Sequence, residues 1–387
     1  MKKLMMGTEA AAIAAKLARV QVIAAYPITP QTTIVEELAN MVSAEELEAR
    51  FLTVESEHSA MASCIGASAT GARVFTATSS HGLAFMHEML HYAAGGRYPI
   101  VMVNANRALG PPWNVYCDHT DSLAQRDTGW LQYYCADAQD VLDSILIGYR
   151  VAEQALLPVM INMDAFYLTH TTEIVDIPEQ KDVDEFLPPY RPDCKLDVDN
   201  PVTFGNVCGS DLYMSIKFQR HRDTFLASSL WAKMAEDFHS RFQRAHPPVE
   251  MYRTNDAEIV ITSIGTCAGV VRVAVDRLRD NGLPVGGLRL SLVRPFPELG
   301  IADIAPRVRH VIVIDRDVSS GAEGIIAQEM KANLWGKGRD ILVHGFIAGI
   351  GGRDITPDMV IEIVSQSTRG QGKAVSVGNS QWVEVLP

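Results

Sequence analysis

The stretch Val22-Ile23-Ala24-Ala25-Tyr26-Pro27-Ile28-Thr29-Pro30-Gln31-Thr32-Thr33 runs a short apolar strand into a proline-bracketed turn. Two later stretches repeat the pattern, Val54-Glu55-Ser56-Glu57-His58 and Val101-Met102-Val103-Asn104-Ala105-Asn106-Arg107, with polar groups where an apolar strand ends. In open α/β sheets, ligands bind outside the carboxyl ends of the strands. A hydroxyl from Thr29, a carboxylate from Glu55 or Glu57 and the Arg107 guanidinium can therefore converge on one crevice. Such a trio suits a small anionic substrate beside a nitrogenous cofactor.

Working outward, helix-like and short apolar segments alternate from Glu9 to about Asp176, the pattern of a doubly wound parallel sheet. Expected strands are Val20–Ala25, Phe51–Val54, Arg73–Ala77, Ile100–Asn104 and Pro158–Met163, with crossover helices over Glu57–Ala69 and Leu83–Ala94. Thr8 is the expected N-cap of a helix over Glu9 to Ala18. Residues 177–255 are acidic and Pro-rich, then helix-like from about Arg220 to Arg244. A loop this long usually embraces a neighbouring domain or subunit, so the segment reads as an arm. From 256 to 387 the α/β alternation resumes, with strands Ile259–Ser263, Gly287–Leu292 and His310–Asp315 and the Gly-rich Gly349–Arg353. Gly265-Thr266-Cys267-Ala268-Gly269 could cradle a phosphate at a helix N-terminus, although a tight strand–helix turn is the commoner use of such glycines. The expected fold is thus a doubly wound α/β domain over 1–176, a connecting arm over 177–255 and a smaller α/β domain over 256–387.

Composition narrows the function. A chain of 387 residues can bury two or three cores, and 47% hydrophobic content fits an ordinary soluble enzyme. A formal charge of -12 argues against a nucleic-acid partner, which needs clustered Lys and Arg. The six cysteines, Cys64, Cys117, Cys135, Cys194, Cys208 and Cys267, contain no C-x-x-C pair, so neither an iron–sulfur nor a zinc site is expected on this chain. If electrons leave the site, a partner must carry them. Lys2-Lys3 precede an Ala-rich run, but Thr8, Glu9 and Lys16 interrupt it, which does not suit a signal peptide. With no apolar run of roughly 18 residues there is no expected membrane span, and the protein reads as cytoplasmic.

The site residues each have a plainer alternative. Arg107 can grip a carboxylate with two parallel hydrogen bonds, or form a surface salt bridge. Thr29 can donate to that carboxylate or to a keto oxygen, or cap a helix that starts at Pro30. Glu55 and Glu57 share strand parity, so spacing does not separate them. His87-Glu88-Met89-Leu90-His91 matches the H-E-x-x-H zinc-protease pattern, yet no Gly and His follow at metzincin spacing and the segment reads as a crossover helix, so the match is taken as fortuitous. Ser80, His81, Asp118, His119 and Asp121 could assemble a hydrolase triad on paper, but no G-x-S-x-G elbow is present.

The Tyr26-Pro27-Ile28-Thr29-Pro30 element, the Glu57 segment, Arg107, Gln125-Arg126-Asp127-Thr128-Gly129-Trp130 and Arg294-Pro295-Phe296-Pro297 occur in this order. Together they resemble the 2-oxoacid:ferredoxin oxidoreductases, in particular the alpha subunit of pyruvate:ferredoxin oxidoreductase. The resemblance implies a thiamine diphosphate pyrimidine-binding domain followed by a transketolase C-terminal-like domain. It implies oxidative decarboxylation of a 2-oxoacid, pyruvate first, to acyl-coenzyme A and carbon dioxide. It places Glu57 at the pyrimidine N1′, where the carboxyl must hold a proton near neutrality, a state that a dry interface favours. Pro27 and Ile28 would line the cofactor, Thr29 and Arg107 would bind substrate, and His58 would tune Glu57. Because the chain lacks Gly-Asp-Gly, the Mg²⁺ and diphosphate site falls to a beta subunit. The resemblance also implies [4Fe-4S] clusters on partner subunits, one of them near the site on the beta subunit, with an iron–sulfur (ferredoxin-like) subunit and a gamma-type subunit as further partners and ferredoxin or a similar protein as the external acceptor. The loop Ala108-Leu109-Gly110-Pro111-Pro112-Trp113-Asn114 departs from the pyruvate pattern by its paired prolines and Trp113, which makes an aryl-glyoxylate enzyme the runner-up, and the resemblance leaves branched-chain and dicarboxylic 2-oxoacids as further alternatives. A subunit that keeps the fold without the chemistry is the remaining alternative.

Overall fold

The computed structural model describes residues 1–297, 307–336, 341–370 and 372–385. Strand β1 (Lys2–Met6) leads into helix Gly7–Leu17. Strands β2 (Val22–Ala25), β3 (Arg50–Thr53), β4 (Val74–Thr78), β5 (Val101–Asn106), β6 (Leu131–Tyr134) and β7 (Val159–Asp164) then alternate with helices, among them Thr32–Ser43, Glu57–Ala69, His87–Gly95 and Ala138–Ala155. After β8 (Thr172–Asp176) an arm passes through helix Ser210–Phe242 to β9 (Val249–Tyr252). The remaining strands are β10 (Ile259–Ser263), β11 (Val285–Leu290), β12 (Leu292–Arg294), β13 (His310–Asp315), β14 (Leu342–Ile347), β15 (Val375–Val377) and β16 (Ser380–Trp382).

Two seven-stranded sheets result, ordered β12-β6-β7-β5-β4-β2-β3 and β15-β16-β14-β13-β10-β11-β9. The first is parallel except for β12, and the second is parallel except for β9 and β15 at its edges. Every residue of β4, β5 and β7 is buried, as expected of central parallel strands covered by helices on both faces. This is the expected α/β architecture. One strand departs from it: the stretch Gly287–Leu292 ends at Leu290, and after Ser291 the chain leaves the second sheet and pairs β12 with β6 of the first. The Ser291 carbonyl accepts the Tyr134 N–H at 2.7 Å at this crossing.

The first helix begins at Gly7 rather than after Thr8, which lies buried within it. A Cβ at Gly7 would stand 2.8 Å from the Leu168 carbonyl, whose oxygen accepts the Gly7 N–H. That close approach sets the helix start, and the Glu9 carboxylate closes it by accepting the Met6 N–H at 2.7 Å. Ala10, Ala11, Ala14 and Ala15 are fully buried there, and their small side chains let the helix lie close to helix Ala138–Ala155. Lys2–Met6 forms a strand paired antiparallel with β8.

The arm helix starts ten residues earlier than its composition suggests. Its lower half buries Ala227, Trp231, Met234, Ala235 and Phe238, a stripe at helical spacing, and Trp231 stacks on Tyr133 with centroids 4.6 Å apart. Its upper half leaves Leu212, Tyr213, Met214, Ile216 and Phe218 exposed.

Helix Ala138–Ala155 presents Asp140 and Asp143 to the segment that follows helix Ser210–Phe242 and to β11 of the second sheet. His246 places Nδ1 2.9 Å from Asp140 and Nε2 2.9 Å from Asp143, so both ring nitrogens donate and the imidazole is a cation. Arg244 adds a two-pronged bond to Asp143, and Arg289, half-buried on β11, bonds Asp140. Burial lowers the His246 pKa, but hydrogen bonds and charge from the two carboxylates outweigh it and raise it to about 9. Because the folded value exceeds the unfolded one, this stabilisation is complete below about pH 6.5 and is lost as pH rises through about 9. Thermal melting is expected to fall between pH 6.5 and 9.5, and His246→Gln to flatten that fall. An equally steep decline in the variant would assign it to other groups.

Candidate active site

The ends of β2, β3 and β5 bring the expected residues to one side of the first sheet. Glu57 is not a strand residue; it opens helix Glu57–Ala69, whose N-cap Ser56 accepts the Ser59 N–H through its hydroxyl. That turn buries Glu57 to 7% exposure and leaves Glu55 exposed, tied to the Ser59 hydroxyl. The two carboxylates, equivalent by parity, are separated by the helix start. Gly82 lies against Glu57: a Cβ there would stand 2.6 Å from Glu57 Oε1 and 2.6 Å from Thr78 Oγ1. The Thr78 hydroxyl is buried with no hydrogen-bond partner among the described residues. His58 turns away from Glu57, with Nε2 3.4 Å from Glu88 and its ring beside Phe85.

Arg107 extends from β5 and is 7% exposed. Its Nη1 donates to the Thr29 carbonyl at 2.7 Å, so the structure joins Arg107 and Thr29 through the backbone. Burial lowers the guanidinium pKa, and the nearby Asp121 charge opposes that. Thr29 is exposed and does not cap a helix, because the next one starts at Thr32 after N-cap Gln31. Pro27 is exposed and Ile28 half-buried in the same loop, which Gln31 braces by donating to the Tyr26 and Ala77 carbonyls at 3.2 and 2.7 Å.

Asp121, which reads from sequence as one polar residue among several, is the best-connected group nearby. Its carboxylate accepts from the backbone N–H groups of Ser80, Arg107 and Ser122 and from the Asn104 and Asn106 amides. The signal available in sequence was that Ser79-Ser80-His81-Gly82 also follows a strand end, that of β4. Ser80 is fully buried at φ +50°, and its hydroxyl donates to the Ala108 carbonyl at 2.6 Å. Ser80 Oγ lies 3.2 Å from His81 Nδ1, but His81 Nε2 meets the Gly110 backbone and not a carboxylate, so no Ser-His-Asp relay forms among the described residues.

A glycine loop after β14 of the second sheet packs on the loop that follows Arg107. Gly351 and Gly352 have left-handed backbones, and their loop accepts from Asn114 Nδ2 at 3.0 Å and donates to the Cys117 carbonyl at 2.9 Å. Gly265, at φ +61°, makes the tight turn, and the helix start after it is held by the Asp164 carboxylate, which accepts from the Thr266 N–H and hydroxyl. Ligand atoms of Cys117, His119 and Asp164 lie within 4.8 Å of one another, the spacing of a metal site. The Arg316 guanidinium, 3.5 Å from Asp164, already supplies a cation there, and His119 Nε2 bonds the same carboxylate at 2.8 Å. The cluster reads as an ionic joint between the domains. In the H-E-x-x-H segment, His87 bonds Gln125 and Glu88 faces His58.

The chain matches the family described as pyruvate flavodoxin/ferredoxin oxidoreductase, thiamine diphosphate-binding, over residues 13–236. It also matches pyruvate:ferredoxin oxidoreductase core domain II over residues 257–360. It is 47% identical over 357 residues to the ketoisovalerate oxidoreductase subunit VorA of Pyrococcus horikoshii, covering 92% of this chain and 91% of that one. It is 44% identical over 378 residues to the pyruvate synthase subunit PorA of Methanothermobacter thermautotrophicus, covering 97% and 98%. Among solved structures it is similar to the 2-oxoglutarate:ferredoxin oxidoreductase of Magnetococcus marinus, with TM-score 0.74 and 21% identity over 95% of this chain and 65% of that one. A split-gene transketolase aligns with TM-score 0.56 and 12% identity over 94% and 98%. The last two likenesses speak for the fold alone. No helix of the described residues is long and apolar enough to cross a membrane.

Proposed function

The chain belongs to the pyruvate flavodoxin/ferredoxin oxidoreductase family, and we propose that it is the pyrimidine-side alpha subunit of a 2-oxoacid:ferredoxin oxidoreductase. The observation that carries this reading is a buried Glu57, with no hydrogen bond to its carboxylate among the described residues, on the same side of the sheet as Arg107 and Thr29. The residues present fit the pyrimidine end of thiamine diphosphate. A buried carboxyl without a protein partner suits a ring nitrogen, and the orphaned Thr78 hydroxyl and Arg107 Nε await polar partners. Thiamine diphosphate, when bound, supplies the nucleophile that adds to a 2-oxoacid and lets carbon dioxide leave.

In this reading Glu57 holds the proton shared with the pyrimidine nitrogen, and Gly82 keeps the carboxyl in place by permitting close contact. Arg107, anchored on the Thr29 carbonyl, offers its remaining N–H groups to the substrate carboxylate, while Thr29, Ile28 and Pro27 form the adjoining wall. Mg²⁺ and diphosphate would be held by a beta subunit. [4Fe-4S] clusters would sit on the beta subunit and on an iron–sulfur subunit, a gamma-type subunit would complete the complex, and coenzyme A would take the acyl group and ferredoxin the electrons. The exposed Leu212, Met214 and Phe218 of the arm support a chain that works against partners. Residues 1–176, 177–255 and 256–387 would serve as cofactor domain, arm and closing domain.

Pyruvate is the first-choice substrate. 2-Oxoisovalerate is the second, because a relative at 47% identity carries the ketoisovalerate name. Coenzyme A-dependent reduction of a low-potential dye by the purified complex, with pyruvate, 2-oxoisovalerate, 2-oxoglutarate, oxalate and phenylglyoxylate in parallel, tests this. One preferred acid supports the assignment; no turnover and no bound thiamine diphosphate would overturn it. Arg107→Lys is expected to raise KM for the preferred acid about tenfold, since an ammonium does not offer two parallel bonds. An unchanged KM would remove Arg107 from the substrate site.

A further inference from the structure

Asp121 is 1% exposed and receives five hydrogen bonds. Oδ1 accepts from Asn106 Nδ2 at 2.8 Å and the Ser122 N–H at 2.7 Å. Oδ2 accepts from the Ser80 N–H at 3.0 Å, the Arg107 N–H at 3.1 Å and Asn104 Nδ2 at 3.3 Å. Two of these donors are the backbones of separate strand-end loops. One loop carries Arg107. The other holds Ser80 in the left-handed region, and two residues later Gly82 lies against the Glu57 carboxylate. A second stitch, from the Ser80 hydroxyl to the Ala108 carbonyl at 2.6 Å, joins the same two loops.

We propose that Asp121 is a positioning residue that fixes the separation between Glu57 and Arg107 by tying the Ser80–Gly82 turn to the Arg107 backbone. This rests on the reading of Arg107 as the group that grips the substrate carboxylate. A misplacement of about 1 Å in such a site costs on the order of 10²-fold in rate. A neutral polar residue would serve less well than a carboxylate. Asn presents one oxygen and one amide, and whichever way it turns, its N–H₂ faces at least two of the donors that now converge. Burial pushes the Asp121 carboxyl up to about 6, and the donors from Asn106, Arg107, Ser80 and Asn104 oppose that rise. The group is therefore held in place by geometry that only an acceptor on both oxygens satisfies.

The test is a double-mutant cycle in the purified complex, with Asp121→Asn, Arg107→Lys and their combination assayed for KM and kcat on the preferred 2-oxoacid. Asp121→Asn is expected to raise KM about tenfold, and to add less than about twofold when Arg107 is already Lys, because it acts through Arg107. If Arg107→Lys leaves KM unchanged, the substrate-grip reading fails and this proposal with it. If Arg107→Lys raises KM but Asp121→Asn does not, or if the two effects multiply independently, the proposal alone fails and Asp121 is a residue of the fold. Should Asp121→Asn not assemble, Asn106→Ala removes one of the five donors with less disruption. It is then expected to raise KM about threefold, again sub-additively with Arg107→Lys, and an unchanged KM or full additivity would overturn the proposal.

Discussion

Glu57→Gln in the assembled complex is expected to lower kcat by about 10²- to 10⁴-fold, the range that a positioned acid–base group contributes. Gln preserves shape and hydrogen-bonding capacity but cannot exchange a proton. Its amide must also fit where Gly82 and Thr78 already crowd the carboxylate. Assembly and melting temperature should be nearly unchanged, because no hydrogen bond within the described chain depends on the Glu57 charge. Glu55→Gln is the matched control: Glu55 is exposed and tied to Ser59, so its loss should leave kcat within about twofold. Equal losses in the two variants, or no loss at Glu57, would dismiss Glu57 as the cofactor-side carboxyl.

The largest expected effect on stability lies away from the site. Asp140→Ala removes the partner of Arg289, which is 10% exposed at its side chain, and of one nitrogen of His246, and it also strips the Tyr133 hydroxyl of its acceptor at 2.9 Å. Breaking a buried pair by deleting one member costs about 3–5 kcal/mol, because an uncompensated charge is left inside. For domains of this size that corresponds to a fall in Tm of roughly 10 °C. The loss should be greatest below pH 9, where His246 is charged and also lacks one of its two carboxylate partners. A change of less than about 2 °C would show that the three-way ionic joint does not hold the domains together.

Both results turn on features that differ in how legible they were. The alternation of apolar strands and helices over residues 1–176, its return after 256 and the delivery of Thr29, Glu57 and Arg107 at strand ends were all readable in sequence. They depend on periods of two and 3.6 residues and on the sheet rule for ligand placement, which are local or generic. The ordered motifs added the family. Helix ends were less legible, because Gly7 starts its helix against the carbonyl of Leu168, a residue far away in the chain.

Sequence by itself determined the two runs of α/β alternation, the helical segment between them and the polar residues that follow the strand ends. Tertiary structure decided which carboxylate is buried, since a cap at Ser56 hides Glu57 and leaves Glu55 in solvent. It also decided that Arg107 meets the Thr29 carbonyl, that His58 belongs to Glu88, that the Gly265 turn receives Asp164, and that β12 crosses to the first sheet. The physical reason is shared by all but the first of these. Apart from the Ser56 cap, which closes over three residues, a hydrogen bond or ion pair is chosen by desolvation and distance among groups dozens to more than a hundred residues apart, and no local periodicity encodes that choice.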